Sequence, residues 1–275
     1  STPLTAANSY TNVLPGLQAR YTSADDRLVV RAAATKAISR PPQGDLVASS
    51  QENPQANQRV IGNPDLVPAE SLNLDLTAEY FLPPLGLISG GVFYKDIDKF
   101  VFSSSRIAAD GVDERTRVNG EGGKVLGFEA AWVQSLDFLP APFDGLGVES
   151  NFTYLHTDAT YPGRPQSLPL ANSPKYAFNG ILSYVKGPLD IRLSYNRLPK
   201  RLESVGVDLA TDRYYAAVSV LDLAVKLKVM RGQTLFLNVK NLTDEPTVLY
   251  QGGRSTPTSV TYYGPQFNAG LQFTF

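Results

Sequence analysis

A single histidine and no cysteine set narrow limits on the chemistry open to this chain. His156 stands in the run Tyr154-Leu155-His156-Thr157-Asp158. Hydrolysis at such a group requires a nucleophile and an orienting partner within hydrogen-bond reach. No motif supplies that pair, so His156 reads as a rim residue and the chain as something other than an enzyme. Without Cys there are no disulfides, thiolate metal sites or thiol nucleophiles, and one His removes every multi-histidine site. Asp96 and Asp98 fall on one face of a strand, and Asp110, Asp113 and Glu114 follow in the next connection. Loop carboxylates can bind calcium, but solvated loop charge is the simpler reading. Gly120-Glu121-Gly122-Gly123 has the look of a phosphate loop, yet a strand follows it where a helix is needed. Lys+Arg number 25 against 26 Asp+Glu, a net charge of −1, which leaves no basic face for nucleic acid. No cofactor and no resident metal is expected.

The elements that must carry these residues announce themselves by period-two alternation. Leu72, Leu74, Leu76, Ala78 and Tyr80 alternate with Asn73, Asp75, Thr77 and Glu79; Leu221, Leu223, Val225 and Leu227 alternate with Asp222, Ala224, Lys226 and Lys228. Eleven such segments are expected, at 9–22, 27–37, 70–82, 87–102, 123–138, 146–158, 174–186, 189–199, 214–229, 233–246 and 259–275. Most reach the roughly 9 to 11 residues that a tilted strand needs to cross a bilayer. The connections alternate strictly between short and long, as they do in outer-membrane barrels with tight periplasmic turns and long external loops. A soluble sandwich has no reason to keep its long loops at one end. Because the last loop is long, the last strand descends and Phe275 should lie in the periplasm, whereas counting back places Ser1 outside the cell. A complete barrel begins and ends in the periplasm with an even strand count, so the chain reads as the C-terminal part of one. An open sheet in lipid would leave two edges of unpaired backbone.

Particular segments then resemble one family. Arg31 to Leu46 is similar to a strand running into a Ser-Arg-Pro loop; Gly62 to Phe81 is similar to a Gly-Asn-Pro-x-Leu-x-Pro-Glu approach to the next strand. Gly91 to Val101, Asn238 to Pro246 and the closing Tyr262 to Phe275 follow in the expected order. Together they resemble the C-terminal half of a TonB-dependent receptor, the outer-membrane active-uptake family. The resemblance implies an all-β fold, a transmembrane antiparallel β-barrel of about 22 strands whose lumen is plugged. About eleven of those strands lie in residues 1–275, with the plug and the N-terminal strands preceding residue 1. It implies uptake of a scarce solute of the siderophore, cobalamin or carbohydrate class through extracellular loops and lumen. The implied partners are outer-membrane lipid, the TonB energy-transducing complex acting through the plug, and the barrel-assembly machinery reading the C-terminal aromatic strand.

The polar strand faces are then the functional candidates. Arg31, Asp75, Glu79, Lys95, Glu129, Asn179, Arg192, Asn196, Asp222 and Lys226 should point into the lumen. Lys or Arg turned to lipid at mid-depth would cost roughly 2 to 4 kcal/mol. Strand-end aromatics, among them Tyr21, Tyr80, Tyr94, Phe102, Phe138, Tyr154, Tyr176, Tyr184 and Tyr195, should form interfacial girdles, with Trp132 facing lipid beside Phe128 and Ala130. On or beside external loops, Asp110, Tyr161, Arg164, Tyr214, Tyr250 and Arg254 are candidates for ligand contact, the tyrosines doubling as sugar-stacking surfaces. The loop from Ile38 to Ala69 is the first choice for capture, followed by the loops around Asp110, Arg164, Asp208 and Arg254. The alternative is an autonomous outer-membrane barrel of 10 or 12 strands, a porin or a hydrolase.

Overall fold

The computed structural model describes residues 11–274. The expectations for Ser1, for Phe275 and for the start of the first segment lie outside them. In chain order, β1 (Gly16–Thr22) and β2 (Leu28–Ser39) lead into a short helix α1 (Gln43–Leu46) and the small strands β3 (Ser50–Asn53) and β4 (Gln58–Ile61). The long strands β5 (Ala69–Leu82) and β6 (Gly86–Asp98) follow, then β7 (Val101–Ile107), β8 (Asp113–Asn119), β9 (Gly122–Ser135) and β10 (Leu146–Thr160). Next come β11 (Tyr176–Lys186), β12 (Leu189–Leu198), β13 (Arg201–Ser204), β14 (Arg213–Tyr215), β15 (Val218–Met230) and β16 (Gln233–Lys240). The chain closes with β17 (Thr247–Gln251), β18 (Pro257–Thr261) and β19 (Gln266–Phe273).

Eleven strands form one wall in the order β1-β2-β5-β6-β9-β10-β11-β12-β15-β16-β19. Every neighbouring pair is antiparallel. The ladder ends at β1 and β19 without closing, unlike the ring an autonomous barrel of 10 or 12 strands needs. Register fixes two faces. On one, Arg31 lies opposite Thr77, Thr77 opposite Gly91, Gly91 opposite Glu129 and Glu129 opposite Thr153. On the other, Leu76 meets Val92, Val92 meets Phe128, Phe128 meets Tyr154 and Tyr154 meets Tyr176.

The second face is greasy and bare. Leu72, Leu74 and Leu76 are 50%, 44% and 49% exposed, while the intervening Asn73, Asp75 and Thr77 are half-buried. This inverts the soluble pattern and suits a wall whose outer solvent is hydrocarbon. The outer positions from Leu72 to Leu82 span about ten residues at roughly 3.3 Å each, which at a tilt near 40° gives about 25 Å, the height of an outer-membrane apolar band. Phe128, Tyr154, Phe152 and Tyr176 form a ladder of ring contacts along this face, with centroids 5.6, 5.9 and 6.3 Å apart. Trp132 shares it with Phe128 and Ala130, and His156, opposite Leu126, is exposed on the same side.

Tight connections close the opposite end. Ser23 donates through Oγ to Asp25 and Asp26 takes a left-handed φ of 56° between β1 and β2. Gly187 and Gly232, at φ 58° and 75°, turn the β11–β12 and β15–β16 hairpins, a conformation that favours glycine.

Four expected segments are shorter in the wall than the alternation suggests, because period two carries through a break without marking it. The 87–102 segment leaves the wall at Asp98: Lys99 has φ 54° and β7 pairs with β8 instead. The 214–229 segment divides at Ala216, so that Tyr214 belongs to β14. The 233–246 segment stops at Lys240, with Asn241 at φ 54°. The 259–275 segment splits at Gly264 (φ 67°) and Pro265, which cannot donate to a ladder.

The long connections are built, not irregular. Two four-stranded sheets rise from the rim, β3-β4-β8-β7 and β13-β14-β17-β18, and an isolated parallel bridge from Ser104 to Val205 joins them. Beneath them a core of Phe100, Phe102, Tyr161, Leu168, Leu170, Leu202 and Val205 packs on Val125 and Ala159, with Phe93, Ile97 and Leu155 against it. All five of those wall residues belong to the polar, inner face by register. The external sheets are therefore seated inside the mouth. Phe102 is accordingly no girdle residue: at 5% exposure it lies 4.6 Å, centroid to centroid, from the Tyr161 ring, edge on.

Candidate functional site: the inner wall and its mouth

Register carries all ten lumen candidates to one face. Arg31, Asp75, Glu79, Lys95 and Glu129 lie on β2, β5, β6 and β9; Asn179, Arg192, Asn196, Asp222 and Lys226 lie on β11, β12 and β15. Within the first group Arg31 and Glu79 form an ion pair. Arg31 Nη1 is 2.7 Å from Glu79 Oε1, and Lys95 Nζ sits 5.7 Å from the Phe93 ring centroid. In the second group, Asn179 donates to Asn151 at 2.7 Å and Asp222 accepts from the Asn241 backbone at 2.8 Å. Two aromatic rings lie over cross-strand glycines on this face, Phe93 over Gly127 and Phe236 over Gly270. A Cβ on Gly127 would fall 2.4 Å from the Phe93 ring and 2.7 Å from the Tyr154 carbonyl oxygen, which explains the missing side chain.

The six loop candidates part company. Tyr161 is 1% exposed; its hydroxyl donates to the Pro169 carbonyl at 3.0 Å and accepts from the Ala171 N–H at 2.9 Å. Burial pushes its pKa up to about 12. Arg164 makes a bidentate pair with Asp212, at 2.7 and 3.1 Å, and its Nη1 also donates to the Gly206 carbonyl. Asp212 in turn accepts from the Gly206 N–H, and its backbone carbonyl accepts from Gly252. One buried ion pair thus ties together three external connections, and the carboxylate holds the guanidinium pKa above its usual value. Tyr214 and Tyr250 stack with centroids 5.6 Å apart, Tyr250 being buried. Asp110 is exposed and accepts from Arg59 at 2.8 Å, which holds its carboxyl below the usual range. Arg254 is exposed in the turn between β17 and β18. The other loop carboxylates singled out by sequence are met by arginines, Asp113 by Arg115 and Glu114 by Arg106.

Sequence reasoning missed a cleft of about 620 Å³ between the two external sheets, lined by Gln58, Arg106, Asp113 and Arg115 on one side and by Val207, Arg213 and Gln251 on the other. The available signal was the arginine density of Arg106, Arg115 and Arg117. What hid it is that Arg213 comes from a connection 100 residues away from Asp113.

With this geometry established, the comparisons are direct. A family model described as "TonB dependent receptor-like, beta-barrel" matches residues 1–242. A search of curated proteins found no match. Among solved structures, the siderophore receptor PirA from Acinetobacter baumannii superposes with a TM-score of 0.63 at 18% identity, covering 96% of this chain and 41% of that one. The copper transporter OprC gives 0.69 at 16% identity, with 94% and 39% covered. The ferric-catecholate import receptor Fiu from K12 E. coli gives 0.64 at 17%, with 94% and 34% covered. The chain spans about two fifths of the length of the first of these. An apolar outer face, a polar inner face, long connections at one rim and a family match over most of the sequence lead to one conclusion: this chain belongs to the TonB-dependent receptor β-barrel family, whose members reside in the outer membrane.

Proposed function

We propose that the chain is the C-terminal part of the barrel of an outer-membrane receptor that captures a scarce solute at its external mouth and admits it by active uptake. The plug and the N-terminal strands would precede residue 1. The carrying observation is the continuous polar inner face from Arg31 to Lys226, placed by register behind a bare apolar outer face. A wall of this kind has a use only where hydrocarbon lies on one side and a wet, occupied interior on the other. Neutral and charged groups on the inner face would contact the plug and water, with the solute reaching them from the mouth. Energy would arrive through the plug from the TonB complex, and the aromatic C-terminal strand would be read by the barrel-assembly machinery. The polypeptide would do no bond-breaking chemistry of its own. His156 supports this, since it is exposed on the outer face, turned away from the lumen candidates.

Two measurements on the full-length receptor test the reading. Spin labels at Leu74, Leu223 and Phe273 should be quenched by lipid-soluble oxygen and shielded from water-soluble reagents. Solute accumulation by cells should stop when the inner-membrane gradient is collapsed. Labels open to water, or uptake indifferent to the gradient, would overturn it.

A further inference from the structure

The external sheet β13-β14-β17-β18 repeats the neighbour order of the wall beneath it. β13 follows the external end of β12, β14 leads into β15, β17 follows the external end of β16 and β18 leads into β19. The wall pairs β12–β15, β15–β16 and β16–β19 accordingly reappear outside as β13–β14, β14–β17 and β17–β18, each antiparallel. Strands that pair in the wall stay paired above it. β19 is an edge of the wall and β18 the matching edge of the external sheet. Within β17, the Val248 carbonyl accepts from the Ala216 N–H on the β14 side, so Thr247 and Leu249 turn to β18, opposite Thr261 and Ser259. Alternation then turns the Val260 N–H and C=O outward, where the sheet has no further strand among the described residues. An unpaired edge is a template for another strand, and proteins that keep one bare blunt it with charge or with proline. β18, Pro257-Thr258-Ser259-Val260-Thr261, carries no charge, has its proline only at the first position and is rich in β-branched residues; β3, an edge of the other external sheet, carries Glu52. Val260 is exposed, and Tyr262 and Tyr263 just after β18 are each 68% exposed.

We propose that β18 is an interaction edge and that its occupant is a strand of the same polypeptide preceding residue 1, the external continuation of the wall strand that pairs with β19. The inference rests on the receptor reading above, in which the wall continues past β19 because lipid does not tolerate an open edge. A strand antiparallel to β19 runs outward, so its continuation meets β18 antiparallel, as β17 does on the other side. It accepts from the Val260 N–H, donates to the Val260 carbonyl and covers Tyr262 and Tyr263 with apolar side chains. This added strand closes the flank of the mouth, which the wall pairing alone does not reach.

The test uses the full-length receptor in detergent. Hydrogen exchange read at single-residue resolution on the unaltered protein should show the Val260 amide slowed roughly a hundredfold or more against its unstructured rate, as pairing with β17 slows Ser259 and Thr261. The photo-crosslinker p-benzoylphenylalanine, placed at the exposed Tyr262 position, should join a peptide from before residue 1 within one molecule. Mixing isotope-labelled with unlabelled receptor separates that product from a link between copies. A Val260 amide that exchanges at the unstructured rate while Ser259 and Thr261 stay protected, or cross-links that are absent or confined to detergent, lipid or a second copy, would overturn the proposal. If the outer-face labels are shielded from water and uptake needs the gradient while Val260 exchanges freely, the receptor reading stands and only the edge assignment falls; water-accessible labels on the outer face would remove both.

Discussion

Replacing Arg164 by Met should unlock the external sheets without unfolding the wall. The Arg164 and Asp212 side chains are 2% and 0% exposed, and among the described residues Arg164 is the cation that bonds the Asp212 carboxylate. Removing one partner of a buried pair strands the other charge, at a cost of about 3–5 kcal/mol. Asp212 would keep the Gly206 N–H, with the Tyr214 hydroxyl beside its carboxylate, but no cation. The loss is local, because the pair joins connections on the rim, whereas the wall is held by its own ladders. At about 1.4 kcal/mol per decade, that cost makes the Gly206 and Gly252 amides exchange roughly a hundred- to a few-thousand-fold faster. Hydrogen exchange read by mass spectrometry on the full-length receptor in detergent measures this, with wall peptides such as those of β10 and β11 as internal standards. The double variant Arg164→Met, Asp212→Leu removes both charges and should recover most of the protection, as volume-matched apolar replacements of buried pairs do. Unchanged exchange in the single variant, or a double variant as loose as the single, would refute the claim that this pair clamps the three connections.

Three further outcomes follow from the geometry. Tyr161 has its pKa raised from 10.0 to about 12 by burial, so its neutral form is favoured in the folded state; the stabilisation is complete below pH 10 and is lost as pH rises through about 12. Tyr161→Phe should remove that alkaline step from hydrogen-exchange or fluorescence titrations while weakening the mouth by about 1–2 kcal/mol at neutral pH, through two lost hydrogen bonds. Gly127→Val should lower the barrel's heat-modification temperature, costing about 1–3 kcal/mol, because Phe93 can swing aside but the Tyr154 carbonyl cannot. Leu74→Arg should impair folding into bilayers by roughly 2–4 kcal/mol, as lipid-facing Arg does at mid-depth, whereas Asn73→Arg on the inner face should be tolerated; equal effects would contradict the assignment of faces.

The wall was legible because two solvents imprint a pattern that local sequence alone carries. Once Leu72, Leu74 and Leu76 are assigned to lipid, Asp75 and Glu79 have nowhere to go but inward, and register spreads that decision to Lys226 across the sheet. The mouth was not legible, because its partners are distant in sequence. Arg164 reads as a loop residue free to contact ligand until Asp212, 48 residues on, closes on it. Tyr161 and Tyr250 look like stacking surfaces in a polar loop, yet both are buried where connections converge. Phe102 continues the alternation of β6 without a break in pattern, and only the left-handed Lys99 before it shows that the chain has turned inward. Arg213 and Asp113 could not be associated at all without the sheets that bring them within 3.5 Å.

The like heading of β1 and β19 has a consequence for self-association. Across eleven strands with every neighbour reversed, the outermost two point the same way. Two upright copies set edge to edge would therefore meet at parallel seams, against the grain of everything between them. An inverted copy would restore the hydrogen-bond pattern only by sending its external sheets to the wrong side of the membrane. A ring of two copies would thus need parallel seams, and a circle that is antiparallel throughout needs an odd number of further staves.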